Sequence, residues 1–548
     1  MEMLYTTPEE EQRYLECGMW GHLTLVERFR EHAAEAPEKL AIIDAKRSYS
    51  YGELARLIDN LASNFLGMGV ARNQVVAVQV PNWAELPLIH FALNRIGALC
   101  LPIHESWREL EVGHVLKQGG AIAAVVPLNY KDFDYPAMLA GMRGALPKLG
   151  RIFSIGGAGP HSSAFEPLLA DVPVDTRALD ARRPHPNEPG VLMLSSGTSS
   201  LPKISVWSSN NLYACVRPFA RGMRLAREDI IAALAPAGTG GMGYGFPILG
   251  SLLHGGTCVI LERWDPVAGV ETILRHRCTC GVAVPAQLTQ MLPVLETHSP
   301  ADFDGFRAFF NAGAPLAYEV GRQVEERMNC RVICNYGATD GGAVAQTDLD
   351  DPREKRLGTV GRPSEAREVK LVDASGNEVG PGAPGEIYWR TADKSYGYLN
   401  DPEATRAAFT RDRFYKSGDL GRFDAEGYLM IIGRVKDMIL RGGRNISPRL
   451  IEEAMVVHPA ILEVAVAAMP DPVLGERACA FAILRKGATL SFAALIAFLR
   501  ERNVSAWQLP ERLEVMDDFP RSAGGKIAKN KLTEFVTLKL KEETGRAS

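Results

Sequence analysis

Leu192 to Asn211 reads LMLSSGTSSLPKISVWSSNN, and the fold of the whole chain turns on what this stretch is. The leading apolar residues suit a buried strand. Small residues then run from Ser195 to Ser200, ahead of Pro202 and Lys203. A loop of Ser, Gly and Thr lets backbone N–H groups and hydroxyls approach an anion, because no bulky side chain holds the anion off. Lys203 adds a mobile positive charge. This is the chemistry of a polyphosphate cradle with Ser195, Ser196, Gly197, Thr198 and Ser199 as its floor. It is not a Walker loop, which needs Gly directly before Lys and Ser or Thr after it. Here Pro202 precedes Lys203 and Ile204 follows. An ordinary surface loop that carries a lysine is the plain alternative, and the neighbouring stretches decide between them.

The 548 residues exceed what one hydrophobic core supports, so two or more domains are expected. Hydrophobic residues at 46% and charged residues at 23% are ordinary for a soluble globular enzyme. A formal charge of -4 gives no electrostatic reason to expect nucleic acid or an acidic membrane as partner. The first residues, MEMLYTTPEEEQRYLE, are acidic and lack the basic-then-apolar order of a signal peptide. No uninterrupted apolar run is long enough to span a bilayer, so a cytoplasmic protein without a membrane span is expected. Nine Cys are scattered, and the closest pair, Cys278 and Cys280, has no second pair or His ligands nearby; they read as reduced thiols.

Upstream of the loop, the periodicity predicts helices at Leu23 to Ala34, Tyr49 to Ile58 and Trp83 to Ile96. They alternate with strands at Ala41 to Asp44, Val75 to Val80 and Ala98 to Pro102. Such alternation predicts parallel sheets with helices on their faces. Downstream, a strand at Ile230 to Ala235 leads into GTGGMG, Gly238 to Gly243, and a second strand at Cys258 to Leu261 ends at Glu262. That spacing resembles a dinucleotide fingerprint. Pro236 and Pro247 strain the fingerprint geometry. A glycine-lined turn leaving room for a small molecule, or a glycine-rich loop with no ligand, are the competing readings.

Phe309 to Pro315 (FFNAGAP) and Val332 to Asp340 (VICNYGATD) each read as a strand running into a small-residue turn. In an open α/β sheet, ligands sit at such carboxyl ends. Tyr336 beside Gly337 offers a flat face to a nucleobase, and Asp340 offers a hard oxygen to Mg²⁺. A core tyrosine in a hairpin-like turn is the bland reading. Further on, FYKSGDL, GYLMIIG and RVKDMIL bring Asp419, Arg434, Lys436 and Asp437 close in sequence. Asp419 can accept from a ribose diol, or the group is a solvated charge cluster. A helix start at Pro448 is followed by strands at Val464 to Met469, Ala478 to Leu484 and Arg512 to Val515, with a helix at Phe492 to Glu501. This is a small α+β module, with a boundary near Arg434 to Asp437. Its last functional-looking piece is PRSAGGKIAKN, where Lys526 follows two glycines.

These pieces, in this order, resemble the adenylate-forming superfamily of acyl- and aryl-CoA ligases, adenylation domains and luciferases, over nearly the whole chain. SSGTSSLPK is similar to its phosphate loop, NYGATD to its adenine and magnesium segment, and SGDL to its ribose-binding Asp. GRVKD is similar to its hinge, RGGRNISP to its thioester-step loop, and PRSAGGK to its C-terminal lysine motif. The resemblance implies an α/β fold: a large N-terminal adenylation domain of parallel-rich sheets, residues 1–434, and a small mobile α+β domain, residues 435–548. It implies ATP, Mg²⁺ and coenzyme A as cofactors, and a small-molecule carboxylic acid as substrate. Carboxylate and ATP give an acyl-adenylate, and a thiol then takes the acyl group.

By the same resemblance, Lys526 offsets charge as pyrophosphate leaves. Thr198, Ser199 and Lys203 hold the outer phosphates, with Ser195, Ser196 and Gly197 completing the ATP-binding loop, Thr339 on the α-phosphate and Asp340 on the metal. Ala312, Gly313, Ala314, Asn335, Tyr336, Gly337 and Ala338 frame the adenine, and Asp419 and Arg434 bind the ribose. Lys436 is the pivot, and the loop at Gly442 and Gly443 serves the coenzyme A step. Thr239, Gly240, Gly241 and Gly243 fall where the family's acyl pocket begins, which predicts a low floor and room for an aromatic or alicyclic acid. An Asn that recognises a hydroxyl beside the carboxylate is replaced by Gly240, which argues against a salicylate-type acid. Ser200 in place of a glycine and Asp340 in place of the usual Glu depart from the pattern. The alternatives are a medium-chain fatty acid CoA ligase, an enzyme that loads a carrier protein, a silent nucleotide-binding homologue and, weakly, a dinucleotide enzyme. A homodimer stays open.

Overall fold

A computed structural model describes residues 6–195, 201–364, 366–521 and 527–545. Ser196 to Ser200 of the phosphate-loop stretch and Lys526 lie outside the described residues.

Two large sheets dominate. The first has seven strands in the order Ser163–Ala164, Arg151–Ile155, Ala123–Pro127, Val75–Val78, Leu99–Pro102, Pro189–Ser195 and Lys203–Ser208. All neighbours run parallel except the last two, an antiparallel pair that flanks the quoted loop and sets Ser195 opposite Lys203. The second has nine strands in the order Arg362–Pro363, Gly342–Gln346, Arg331–Ala338, Ala308–Asn311, Cys280–Ala283, Ile230–Ala233, Thr257–Ile260, Leu40–Ile43 and Ser48–Ser50. Its middle is parallel, and both ends turn antiparallel. Val75–Val78, Thr257–Ile260 and Cys280–Ala283 are buried along their length, as continuous apolar strands covered on both faces should be.

Helix starts follow local chemistry. Thr24, Ser50 and Ser208 each accept from the backbone N–H three residues on, while Glu27, Glu53 and Asn211 reach back to complete capping boxes. The last of these fixes the helix Ser209–Gly222, whose inner face carries Leu212, Cys215 and Val216 toward the site.

The GTGGMG stretch departs from a dinucleotide turn. Pro236 is extended, Ala237–Thr239 forms a 3₁₀ turn, and Gly240 takes φ +78. Gly241–Leu249 then winds as a π-helix with Pro247 inside it. A π-helical segment is rare and marks functional sites. A Cβ on Gly243 would lie 1.7 Å from the Pro236 carbonyl oxygen, so this glycine permits backbone contact. Behind the segment, Tyr244 and His90 meet at 2.6 Å. Burial holds the His90 pKa down to about 3, so its imidazole stays neutral against the Tyr244 hydroxyl.

The expectation of parallel-rich sheets did not anticipate a four-stranded antiparallel sheet, Glu368–Val372, Gly385–Arg390, Tyr415–Phe423 and Leu429–Arg434. From Ile439 the chain builds a separate five-stranded sheet. Its strands are Arg444–Ile446, Ile439–Arg441, Gly475–Leu484 and Ile461–Asp471, with Arg512–Val515 added beside Gly475–Leu484. Apolar clusters on its two faces are drawn from this part of the chain alone. Among the described residues, no helix is long and apolar enough to cross a membrane.

Candidate active site

The site lies where strands of the nine-stranded sheet end. Ala312 and Gly313 follow the strand Ala308–Asn311, while Asn335 to Thr339 close the strand Arg331–Ala338 and its turn. Both segments line one cavity of about 140 Å³. Its opposite walls are Leu212, Cys215 and Val216 from the helix, Trp207 from the strand Lys203–Ser208, and Gly240, Gly241, Met242, Gly245 and Phe246 from the π-helical segment. Phe246, Phe219 and Phe310 pack ring to ring behind it, with centroids 4.7 to 5.4 Å apart. Burial pushes the Cys215 thiol pKa up, so Cys215 lines the wall as a small neutral group. Among the described residues no charged side chain lines the cavity.

Beside this cavity, Tyr336, Asp419 and Arg434 form one cluster. The Tyr336 hydroxyl donates to Asp419 Oδ2 at 2.7 Å, and Arg434 Nε donates to Asp419 Oδ1 at 2.8 Å. Strand register explains the meeting, because Asp419 and Arg434 are direct partners in the antiparallel sheet. Burial first, and the Asp419 charge second, raise the Tyr336 phenol well above its usual range, which keeps it a donor. Burial works against the Arg434 charge, but Asp419 more than offsets it and raises the guanidinium pKa. The cluster gives a flat ring, a carboxylate and a fixed cation within one short span.

A third group joins Lys203 to Asp340. Tyr398 donates from its hydroxyl to Asp340 Oδ2 at 2.7 Å, and its ring lies 5.0 Å from Lys203 Nζ. Among the described residues no group of three His, Cys, Asp or Glu forms a metal cage. One hard carboxylate, with phosphate oxygens and water supplying the rest, is a donor set that suits Mg²⁺ and not a structural zinc site. Asp340 would hold the ion, which supplies charge neutralisation at the outer phosphates.

The other sequence-predicted residues are placed as follows. Ala314 lies in the turn after Gly313, off the cavity wall. Gly240 and Gly241 line the cavity, whereas Gly243 does not; the expectation that it floors the pocket is corrected by its packing on Pro236. The Thr239 side chain lies outside the described set. Ser195 pairs with Lys203 through a 3.3 Å hydrogen bond from the Lys203 N–H to its Oγ. Lys436 lies in the 3₁₀ turn Val435–Asp437, and Gly442 and Gly443 form the hairpin turn of the small sheet, both with positive φ. Lys526 lies outside the described residues. Sequence reading missed Cys215, Gly245, Phe246 and Tyr398. The first three carry no signal that separates a pocket wall from a core face.

Asp419→Ala is expected to raise the ATP KM by about 10- to 100-fold, the usual cost of a lost hydrogen bond to a charged group. The rate at saturating ATP should change little, as a steady-state titration would show.

Sheets whose strand ends carry a Tyr–Asp–Arg cluster beside an apolar cavity, followed by a small α+β module, are the architecture of the adenylate-forming class. The chain belongs to the AMP-binding enzyme family: the family model for AMP-binding enzymes matches residues 29–399, and that for the AMP-binding enzyme C-terminal domain matches residues 450–526. It is 32% identical to the medium-chain fatty-acid–CoA ligase of Escherichia coli (strain K12), covering 99% of this chain and 96% of that one. It is 33% identical to the 2-hydroxy-7-methoxy-5-methyl-1-naphthoate–CoA ligase of Streptomyces carzinostaticus, covering 95% of this chain and 94% of that one. The anthranilate CoA ligase AuaEII in complex with anthranoyl-AMP shares the fold, with a TM-score of 0.86 at 22% identity over 95% of this chain and 98% of that one.

Proposed function

We propose that the protein is an ATP-dependent acid:CoA ligase acting on an aromatic or alicyclic carboxylic acid. The observation that carries this is one strand end serving both: Asn335, Gly337, Ala338 and Thr339 line the apolar cavity, and Tyr336 between them donates to Asp419, which holds Arg434. An acid held in the cavity therefore presents its carboxylate beside Thr339, where an ATP docked on that cluster brings its α-phosphate. A carboxylate oxygen bonds to the α-phosphorus as the bond to pyrophosphate breaks. Lys203 and Lys526 offset the charge that moves onto the leaving group, and Thr339 orients the α-phosphate. In the second step the thiol sulfur of coenzyme A attacks the acyl carbon, AMP leaves, and the thiol proton passes to solvent. Residues 1–434 form the adenylation domain and residues 435–548 the mobile domain, pivoting at Lys436 so that Lys526 and the loop at Gly442 and Gly443 act in turn.

A dry apolar cavity of about 150 Å³ takes up benzene, so a cavity of about 140 Å³ has room for one ring. The aromatic trio behind Phe246 favours edge-to-face contact with such a ring. Acid-dependent consumption of ATP and coenzyme A across benzoates, cyclic carboxylates and straight-chain acids tests this. A rate peaking on ring acids supports it. A peak on straight chains retains the ligase and overturns the ring, a reading that the similarity to the Escherichia coli enzyme favours. Thioester formed only on a carrier protein, and never on free coenzyme A, would instead assign carrier loading.

A Cβ on Gly245 meets no atom within 4 Å and Gly245 lines the cavity, so a larger side chain there enters open space. Gly245→Leu is expected to cut kcat/KM for ring acids by about 10- to 200-fold, as a misfit of one or two methylenes does. The ATP KM should stay unchanged in the same assay; a loss of ATP affinity of equal size would remove Gly245 from the acid pocket.

A further inference from the structure

The segment 395–399 ties two parts of the site together. Its backbone runs along the strand Lys203–Ser208: the Tyr396 N–H donates to Val206 O at 2.9 Å, Val206 N–H to Gly397 O at 3.1 Å, and Leu399 N–H to Ile204 O at 2.7 Å. Tyr398 is thereby carried on the strand that begins at Lys203, and Ser205 and Tyr398 are bridged directly. The other end of the segment is fixed to the β-turn carbonyl of the metal residue. Ser395 donates to Asp340 O from its N–H at 3.1 Å and from its hydroxyl at 2.7 Å. Between these anchors the Tyr398 hydroxyl reaches Asp340 Oδ2 at 2.7 Å, with both residues buried, at 6% and 7% exposure. The ring of the same residue stands 5.0 Å from Lys203 Nζ, within cation–π range.

We infer that Tyr398 is a positioning residue that sets Asp340 and Lys203 in one register, its hydroxyl orienting the carboxylate toward Mg²⁺ and its ring seating the lysine. This rests on the adenylating reading of the site. The chemistry is that of an outer partner fixing a metal ligand. A carboxylate offers about four acceptor positions, so a phenol on one oxygen fixes the rotamer and leaves capacity for the ion. Asp is one methylene shorter than Glu and has less reach with which to find the ion unaided, so a carboxylate fixed in advance avoids that search.

A core tyrosine packed for volume alone would share the burial, and the test separates the two. Full-length protein is titrated with Mn²⁺ in the presence of ATP, free Mn²⁺ being read by electron paramagnetic resonance, and adenylate formation is followed against Mg²⁺ concentration. Tyr398→Phe keeps the ring over Lys203 and removes only the hydroxyl. It is expected to weaken Mn²⁺ binding in the ATP complex about tenfold, the lower range for loss of a metal ligand's outer partner. The Mg²⁺ concentration for half-maximal rate should rise by a similar factor, with the maximal rate recovered at high Mg²⁺. In an Asp340→Asn background, Tyr398→Phe should have no further effect on Mn²⁺ affinity, because the hydroxyl acts through the carboxylate. Unchanged Mn²⁺ affinity in Tyr398→Phe overturns the inference, as does loss of the fold on thermal unfolding, which would make the hydroxyl a packing requirement. Wild-type protein that fails to bind Mn²⁺ with ATP brings down the adenylating reading and this inference with it, a failure visible before any variant is made.

Discussion

Lys526→Ala is expected to lower acid-dependent exchange of labelled pyrophosphate into ATP by about 10²–10³-fold, the cost of removing one preorganised charge from a transition state. Transfer of a separately supplied acyl-adenylate to coenzyme A should stay close to wild type. The asymmetry follows from where charge builds. In the first step an anionic carboxylate meets an anionic phosphate and pyrophosphate departs, so every fixed cation counts. The described residues supply Lys203 beside Tyr398 and Arg434 bound to Asp419. Asp419 already holds Arg434 at 2.8 Å, which leaves Lys203 and Lys526 for the leaving group. In the second step AMP leaves from the acyl carbon of the mixed anhydride and no pyrophosphate forms. Equal losses in both half-reactions would remove Lys526 from its adenylation role, and wild-type exchange would remove the proposed chemistry altogether.

How much of this was legible depended on whether a residue's partner was near in sequence. Strands such as Val75–Val78 and Cys280–Ala283 are continuous apolar runs with flanking breakers, and their burial on both faces is what such runs specify. The carboxyl-end turns at Ala312 and at Asn335 to Thr339 were readable because ligands gather at that edge of a parallel sheet. The antiparallel sheet was not foreseen, since Glu368–Val372 and Tyr415–Phe423 bury only part of their residues and alternate poorly. Leu212, Cys215 and Val216 look like any apolar helix face until the π-helical segment is placed opposite them. Tyr398 meets Asp340 from 58 residues away, and nothing local announces that contact. The dinucleotide spacing at GTGGMG failed for a local reason. Pro236 precedes the glycines and Pro247 lies inside the π-helix Gly241–Leu249, which is wound too wide to present a phosphate-binding first turn.

Gly342→Val is expected to destabilise the large domain by about 3–5 kcal/mol, at the upper end for overpacking combined with backbone strain. Gly342 follows Asp340 and Gly341 in the turn between the strands Arg331–Ala338 and Gly342–Gln346, at φ +82. A Cβ there would stand 2.4 Å from the Asp393 carbonyl oxygen and 2.8 Å from its Cγ. That backbone cannot yield easily. Trp20 Nε1 and Asn211 Nδ2 both donate to the neighbouring Ala392 carbonyl, at 3.0 and 3.1 Å. Asp393 is itself fully buried, taking the Ala343 N–H at 2.8 Å and pairing with Arg367 at 3.3 Å. The turn would therefore move instead, carrying Thr339 and Asp340 with it, and a displacement near 1 Å costs about 10²-fold in rate. Gly376 is the control: its φ is +88, yet a Cβ there meets nothing within 4 Å, so Gly376→Ala should cost only about 1 kcal/mol. Urea unfolding read on the large-domain transition, with pyrophosphate exchange on the same samples, compares the two. A Gly342→Val protein with the wild-type midpoint and rate would mean that the Asp393 loop gives way, and that the turn holding Asp340 is not braced from behind.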